Sequence, residues 1–351
     1  MKRSRRSGKK RRIVAAIITV SLAAVFFAAV LIVNMFVPVL YLSAYGVKKD
    51  YSRPQGVEIT FLNVGFGDCA FIALPDGKNM LIDGGNGNYG KNMKILKFLN
   101  SHGVDTINYL VCTSVKDEHC DGLSEVVRYK KVEHAFIPYC KNRHITRAYN
   151  SLLRLLERRN VSYTYAGVSE GIYSEESDYF ITFLSPTNYL SPSSEYAALN
   201  NKANTENIEN ASVIVWMEYG NSAVIFTSDA RPAALERIVE DYEMSVSVGH
   251  TYCNYGGKGV ELTKCKVVTS PAHAGERNTS SAFYDFIRPE LAIVSVGKNF
   301  AGYPSPVAIS DIQRYCKPLY TVYNGDITVL LKDEGYLLNT QNETRTERSK
   351  K

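Results

Sequence analysis

No acidic residue occurs before Asp50, and the charge missing there sets the electrostatics of the whole chain. Lys2, Arg3, Arg5, Arg6, Lys9, Lys10, Arg11 and Arg12 concentrate positive charge at the start, leaving 33 basic against 35 acidic residues in the rest. The formal +6 therefore does not describe the folded part, which is near neutral. A strongly phosphate-binding, nucleic-acid surface needs clustered Lys and Arg, and that class is excluded there. Cysteine is sparse and odd in number: seven residues cannot all pair within the chain, and no C-x-x-C occurs, which removes zinc-ribbon and thioredoxin-type sites. Cys69 and Cys112 sit in apolar runs and read as small buried hydrophobes. A Cys253–Cys265 pairing is left open. No internal repeat is visible.

What the N-terminus does have is apolar length. Residues 13–33 carry no charge, and at about 1.5 Å per residue they form a helix of roughly 32 Å, enough to cross a bilayer. A cleaved signal peptide has a shorter apolar core, about 7–15 residues, so the segment reads as an uncleaved anchor. Basic flanks stay in the cytoplasm, placing everything after about Tyr45 outside. The expected organisation is a basic cytoplasmic tail (1–12), a transmembrane anchor (13–42), a linker (43–56), one large domain (57–335) and a polar disordered tail (336–351).

Within the large domain, "VEITFLNV", "CAFIAL" and "NMLID" are β-rich runs separated by "GFGD" and "PDGK", an antiparallel meander. Helical periodicity follows at 91–99, then the strand "INYLVC", then helices near 123–129 and 146–159 around the strand "VEHAFIP". Residues 185–210 show no period and read as a long functional loop. "SVIVWMEY" and "AVIFTSD" form a strand pair joined by "GN". The helix "RPAALERIVEDYE", the strands "CKVVTS", "LAIVSVG" and "ITVLL", and helices near 280–287 and 308–315 complete the pattern. Two groups of strands, each with helices, predict an α/β fold of two sheets between helical layers.

Several motifs resemble the metallo-β-lactamase superfamily, and within it the soluble domain of the ComEC DNA-uptake proteins. "LNVGFGDCAFI" resembles D-V-G-Q-G-D-[AS]-x-L-I, and "LPDGKNMLIDGG" resembles x-P-D-G-x-x-x-L-I-D-x-G. "NASVIVWMEYGNSAVIFTSDA", "SPAHAGERNTSS" and "LAIVSVGKNFAGYPSP" follow in the family's order. The resemblance implies a four-layer αββα sandwich. It also implies that "TSVKDEHCDGL", residues 113–123, stands where the family has T-H-x-D-x-D-H-x-G-G-L, a signature whose His and Asp hold one or two metals. Ser114, Lys116, Ala272 and Tyr303 replace ligands of that pattern. Glu118, His119, Asp229 and His273 remain, with Asp68 and Asp83 as supports around them.

Serine and tyrosine hydroxyls are poor ligands and alanine is none, so the surviving set suits one weakly held Zn or Mn, or no metal. An ammonium about 5 Å from a dication costs on the order of 6–7 kcal/mol at an effective dielectric near 20. Lys116 is therefore expected to replace the ion, lying among Glu118, Asp229 and Asp68. Cys120 beside His119 lacks a third orienting group for nucleophilic catalysis. His102, His134, His144 and His250 match no motif. The leading expectation is a membrane-anchored, extracytoplasmic protein with a degenerate metal site and a binding or scaffolding role, touching the membrane through its N-terminal helix and a protein partner through its domain. The alternative is a metal-dependent phosphodiester hydrolase working with a reduced one-metal site.

Overall fold

The computed structural model describes residues 54–86, 89–139, 145–168, 170–187, 209 and 211–342, together with the isolated helical positions Ser21 and Val25. The expected basic tail and anchor otherwise lie outside the described residues, as do most of the 185–210 loop and the chain end. Among the described residues no helix is long and apolar enough to cross a membrane. The chain divides into two compact units: Met1–Asp50 with Lys97–Gly103, and Tyr51–Leu96 with Val104–Lys351. The architecture below is that of the second unit.

One sheet has eight strands. β1 (Val57–Phe61), β2 (Ala70–Ala73) and β3 (Asn79–Ile82) form the expected antiparallel meander. After α1 (Tyr89–Ser101), β4 (Thr106–Val111), β5 (Lys131–Ile137) and β6 (Ser162–Tyr165) continue in parallel, connected by α2 (Asp117–Tyr129) and α3 (Arg147–Arg158). The second sheet begins with antiparallel β7 (Gly171–Ser174), β8 (Tyr179–Ser185), β9 (Ile214–Tyr219) and β10 (Ser222–Phe226). It turns parallel through β11 (Cys265–Thr269), β12 (Leu291–Val294) and β13 (Lys317–Tyr320), with α4 (Pro232–Ser247), α5 (Ser281–Ile287) and α6 (Pro306–Ile312) as crossovers. The chain then passes α7 (Thr321–Asn324) and returns to the first sheet, where β14 (Ile327–Leu331) pairs β1.

Burial explains the layering. Ile59, Phe61, Ile72 and Ile82 of the first sheet meet Phe183, Val215, Met217 and Val224 of the second in one core between the sheets. On the second sheet's outer face, Trp216, Ile225 and Phe180 pack with Leu235 and Ile238 of α4 and Phe283 and Ile287 of α5. Strands covered on both faces lose the alternation of half-buried strands. β8, buried along its whole length, is such a strand, and the sequence reading passed over it together with β6, β7 and β13.

One boundary needs correction. β15 (Tyr336–Thr340), which falls in the expected disordered tail, pairs antiparallel with β14 and closes the sheet's edge. Its sequence YLLNT does not alternate and its residues are half-buried or exposed; backbone pairing to β14 and the packing of Tyr336 on the core between the sheets hold it. The cysteines among the described residues are free thiols, Cys253 and Cys265 included, and burial pushes the Cys69 and Cys112 thiols well up.

Candidate functional site

Parallel strands end at one edge of each sheet, and in open α/β sheets ligands collect beyond the carboxyl ends of the strands. The segments after β3, β4, β10 and β11 meet at this edge. Three of them hold non-glycine residues in the left-handed region: Asp83 (φ 58°), Ser228 (φ 51°) and three in succession, Ala272 (φ 43°), His273 (φ 57°) and Ala274 (φ 56°). A left-handed turn of L-residues costs roughly 1–2 kcal/mol per residue, and backbone strain of this kind concentrates at functional sites.

Gly67 and Gly84 admit the helix that carries the signature, a Cβ on Gly67 falling 2.4 Å from the Glu118 carbonyl oxygen. A Cβ on Gly84 would lie 2.4 Å from the Leu123 nitrogen, so only hydrogen lets α2 approach the β3 loop. Backbone bonds fix this junction, with Gly84 N–H donating to the His119 carbonyl (2.7 Å) and Asp68 N–H to that of Glu118 (3.2 Å). His119 is thereby buried completely in the first turns of α2. Its Nδ1 lies 2.8 Å from Asp83 Oδ2, and its Nε2 lies 3.2 Å from Asp229 Oδ2, close enough for an ion pair but not aligned for a hydrogen bond. Thr113 completes the cradle of Asp83, donating its N–H (2.7 Å) and its hydroxyl (2.5 Å). The Ser228 and Thr113 hydroxyls are 2.7 Å apart.

His273 is oriented from the other sheet. Its Nδ1 donates to the Ser295 carbonyl (3.0 Å), and its Nε2 is buried, 3.9 Å from Asp229 Oδ1 and without a hydrogen-bond partner among the described residues. Asp68 is 3.7 Å from His119 Nδ1 and 3.8 Å from His273 Nδ1. Ligand atoms of Glu118, His119, Asp229 and His273 all fall within 4.8 Å of one another, and those of Asp68, Asp83 and His119 do likewise.

Lys116 enters this cluster from the cap position of α2. Its ammonium lies 3.0 Å from Asp229 Oδ2 and 2.6 Å from Glu209 Oε1. The other Glu209 oxygen accepts from Arg231 Nε. The partnership expected with Glu118 and Asp68 is thus corrected: Glu209, from the unpatterned loop, takes that place beside Asp229. Glu209 is buried and stands beyond β8, while Lys116 precedes α2, so no local spacing links them.

The remaining substituted positions are also accounted for. Ser114 Oγ is 3.5 Å from Asp229 Oδ2. The buried Ala272 opens the left-handed turn. Tyr303 stacks on Phe66, with ring centroids 5.8 Å apart and planes within 3°, and forms a wall 6.4 Å from the His273 ring. Thr113, Ser228, Glu209 and Arg231 were not singled out by the sequence. Thr113 alone carried a signal, as the first residue of the signature.

The electrostatics follow from these contacts. Burial opposes the charge on His119, but the carboxylates of Asp229 and Asp83 outweigh it and hold the imidazole well above its ordinary pKa. Burial likewise opposes charge on Asp229, yet His119 and Lys116 hold its carboxyl well below the usual range. Lys116 is raised for the same reason, burial being overcome by Asp229 and Glu209. Burial pushes Asp83 up against the pull of His119. Asp83, Asp229 and Glu209 are thus met by His119 as imidazolium, Lys116 and Arg231. The Asp229 oxygen nearest His119 also faces the Lys116 ammonium, which thereby stands against the cluster of Glu118, His119, Asp229 and His273 that could hold a cation.

No profile of a known protein family matches the chain. Among curated proteins it is similar to ComE operon protein 3 of Bacillus subtilis (strain 168), 23% identical over 296 residues, which cover 79% of this chain and 33% of the relative. The chain therefore spans about a third of that relative's length. Among solved structures it is similar to unliganded yeast PDE1 (11% identity, 79% of this chain and 99% of that one, TM-score 0.48). A further likeness is to Tm1679, a metal-dependent hydrolase of the β-lactamase superfamily (12% identity, 79% and 100%, TM-score 0.44).

Proposed function

From the metallo-β-lactamase superfamily, which this chain resembles in its order of motifs and its two-sheet α/β sandwich, we propose that it is a membrane-anchored, extracytoplasmic ComEC-like protein whose pocket binds or organises a partner instead of hydrolysing one. One observation carries the reading: the Lys116 ammonium stands 3.0 Å from Asp229, between it and Glu209. Metal-assisted hydrolysis needs an ion with an open position for water, and Lys116 takes the charge role of that ion while offering no such position. The anchor rests on residues 13–33 and the basic start before them. Contact with the membrane runs through that helix, and contact with a protein partner through the domain.

Hydrolysis of bis(p-nitrophenyl) phosphate by the full-length chain, with Mn²⁺ or Zn²⁺, tests this. The expected turnover is no higher than that of Asp229→Ala. Metal-dependent turnover that Asp229→Ala abolishes would sink the reading. It would favour a reduced one-metal hydrolase, for which the convergence of Glu118, His119, Asp229 and His273 ligand atoms within 4.8 Å of one another is the supporting observation.

A further inference from the structure

We propose that a cavity at the carboxyl end of α4 binds a primary alkylammonium group, the chemistry that a small aliphatic amine and a lysine side chain share. This is a second site. α4 begins at the charged pocket, with Arg231 as its cap, and at about 1.5 Å per residue its 16 residues set the cavity roughly 24 Å away.

The end of α4 lacks its usual counter-charge. Helix carboxyl ends carry partial negative charge and favour Lys, Arg or His in the last turn. α4 has no basic residue there, and its second half carries Glu240, Asp241 and Glu243. Asp241 is half-buried and makes no ion pair among the described residues. Burial lifts its carboxyl above the ordinary value against the pull of Arg237.

Beside Asp241 opens a cavity of ≈ 420 Å³, within the roughly 300–1,000 Å³ of small-molecule sites. Val168, Met244 and Val248 give it apolar walls, and Asp241, His250 and Tyr252 are among its polar members. Met244 and Val248 are each 61% exposed, so the rim presents bare apolar surface. Tyr252 is only 6% exposed, and its buried Oη has no hydrogen-bond partner among the described residues. The neighbouring Cys253 thiol turns instead to the Phe183 carbonyl (3.9 Å). A buried hydroxyl left unpaired costs free energy. Burial chiefly, then Cys253 and Asp241, push the Tyr252 phenol up, so the Asp241 carboxylate is within electrostatic reach of it.

The floor is fixed before any ligand arrives. Tyr255 and Lys258 close a turn by exchanging backbone hydrogen bonds (2.9 and 3.1 Å), and Val260 N–H donates to the Tyr252 carbonyl (2.9 Å). Lys258 Nζ ties this segment to Asp178 (3.1 Å), and Tyr242 meets the Tyr252 ring edge-on with centroids 5.7 Å apart. Such preorganisation lowers the ordering cost of binding.

These groups select one chemistry. The carboxylate and the helix end call for a cation, the unpaired phenol oxygen for a hydrogen-bond donor, and the rim for hydrocarbon. A primary ammonium on an alkyl chain supplies all three, donating one N–H to Asp241 and one to Tyr252 Oη. A quaternary ammonium has the charge but no N–H, and a carboxylate has the wrong sign.

Hexylamine, N-acetyl-lysine amide, hexyltrimethylammonium and hexanoate, each titrated by calorimetry near neutral pH into the full-length chain in non-ionic detergent, test this. Hexylamine or the lysine amide is expected to bind once per chain with a dissociation constant on the order of 1 mM. The tighter of the two names the source, a free amine or a protein side chain, and binding of either supports the proposal. Hexyltrimethylammonium should bind at least about 5-fold more weakly than hexylamine, and hexanoate not at all. Asp241→Asn should lose about 10-fold in affinity and Tyr252→Phe about 5-fold. Tyr252→Phe should nevertheless melt no lower than wild type, because the hydroxyl it lacks had no partner. The proposal is overturned if neither amine saturates, if hexanoate or the quaternary ion binds as well as hexylamine, or if Asp241→Asn binds as tightly as wild type. A lower melting temperature for Tyr252→Phe overturns it too. Should Asp241→Asn fail to fold, Tyr252→Phe and the hexanoate titration decide alone.

Discussion

Replacing Glu209 by glutamine removes the one negative charge that Lys116 and Arg231 share and leaves the side chain's size unchanged. The Lys116–Glu209 contact of 2.6 Å corresponds to roughly 6 kcal/mol of attraction at an effective dielectric near 20. Most of this is offset by the desolvation that neutralising Glu209 recovers. Lys116 also keeps Asp229 at 3.0 Å, so its charge is not orphaned, and Arg231, 31% exposed in its side chain, can turn to water. The net loss is therefore expected below the ~3–5 kcal/mol typical when a buried pair is broken outright, at about 2 kcal/mol. For a domain of this size that is a fall in melting temperature of about 3–4 °C. Scanning calorimetry of wild type, Glu209→Gln, Lys116→Met and the double variant closes a thermodynamic cycle, in which the Glu209→Gln cost should shrink to under about 1 kcal/mol once Lys116 has lost its charge. The reasoning is refuted if Glu209→Gln melts with the wild type, or if its cost is the same in both backgrounds.

Stability should also depend on pH through His119. Its folded pKa is raised, so its contribution is complete below the unfolded value of about 6.5 and is lost at up to about 1.4 kcal/mol per pH unit as pH rises toward the folded value. Urea midpoints between pH 6.5 and 9 should fall for wild type and be nearly flat for His119→Gln. Gly84→Ala would force a methyl to 2.4 Å from the Leu123 nitrogen and should destabilise by about 3 kcal/mol, measurable as a shift in urea midpoint at constant slope. Arg288, exposed at the end of α5 with φ 42°, should become about 0.5–1 kcal/mol more favourable as glycine, raising the melting temperature. Protease added to intact cells should degrade the domain and leave a small membrane fragment; a fully protected domain would reverse the proposed orientation.

Local patterns carried the parts of this fold that local physics decides. The meander, α4 and the strand before the signature are visible because apolar periodicity and turn residues act within a few positions. Glu118, His119, Asp229 and His273 could be named because the three segments that carry them resemble the family's motifs in order. What converges around them is set by topology. Glu209 has no periodic context, and only the packing of the two sheets decides that Lys116 meets it and not Glu118. β15 was missed for a related reason, since an edge strand held by backbone pairing need not alternate. The left-handed backbone at Ala272 and Ala274 was invisible because the sequence offers no glycine there.

The charged pocket draws its members from opposite halves of the chain. Asp83, Lys116 and His119 arrive with the first sheet, and Glu209, Asp229, Arg231 and His273 with the second. Lys116 and His119 from one half both meet Asp229 from the other, and Lys116 also meets Glu209, so the pocket couples the two sheets into one cooperative unit. A chain severed between residues 188 and 208 would yield two fragments that are each incomplete, and that should acquire structure only on recombining with each other.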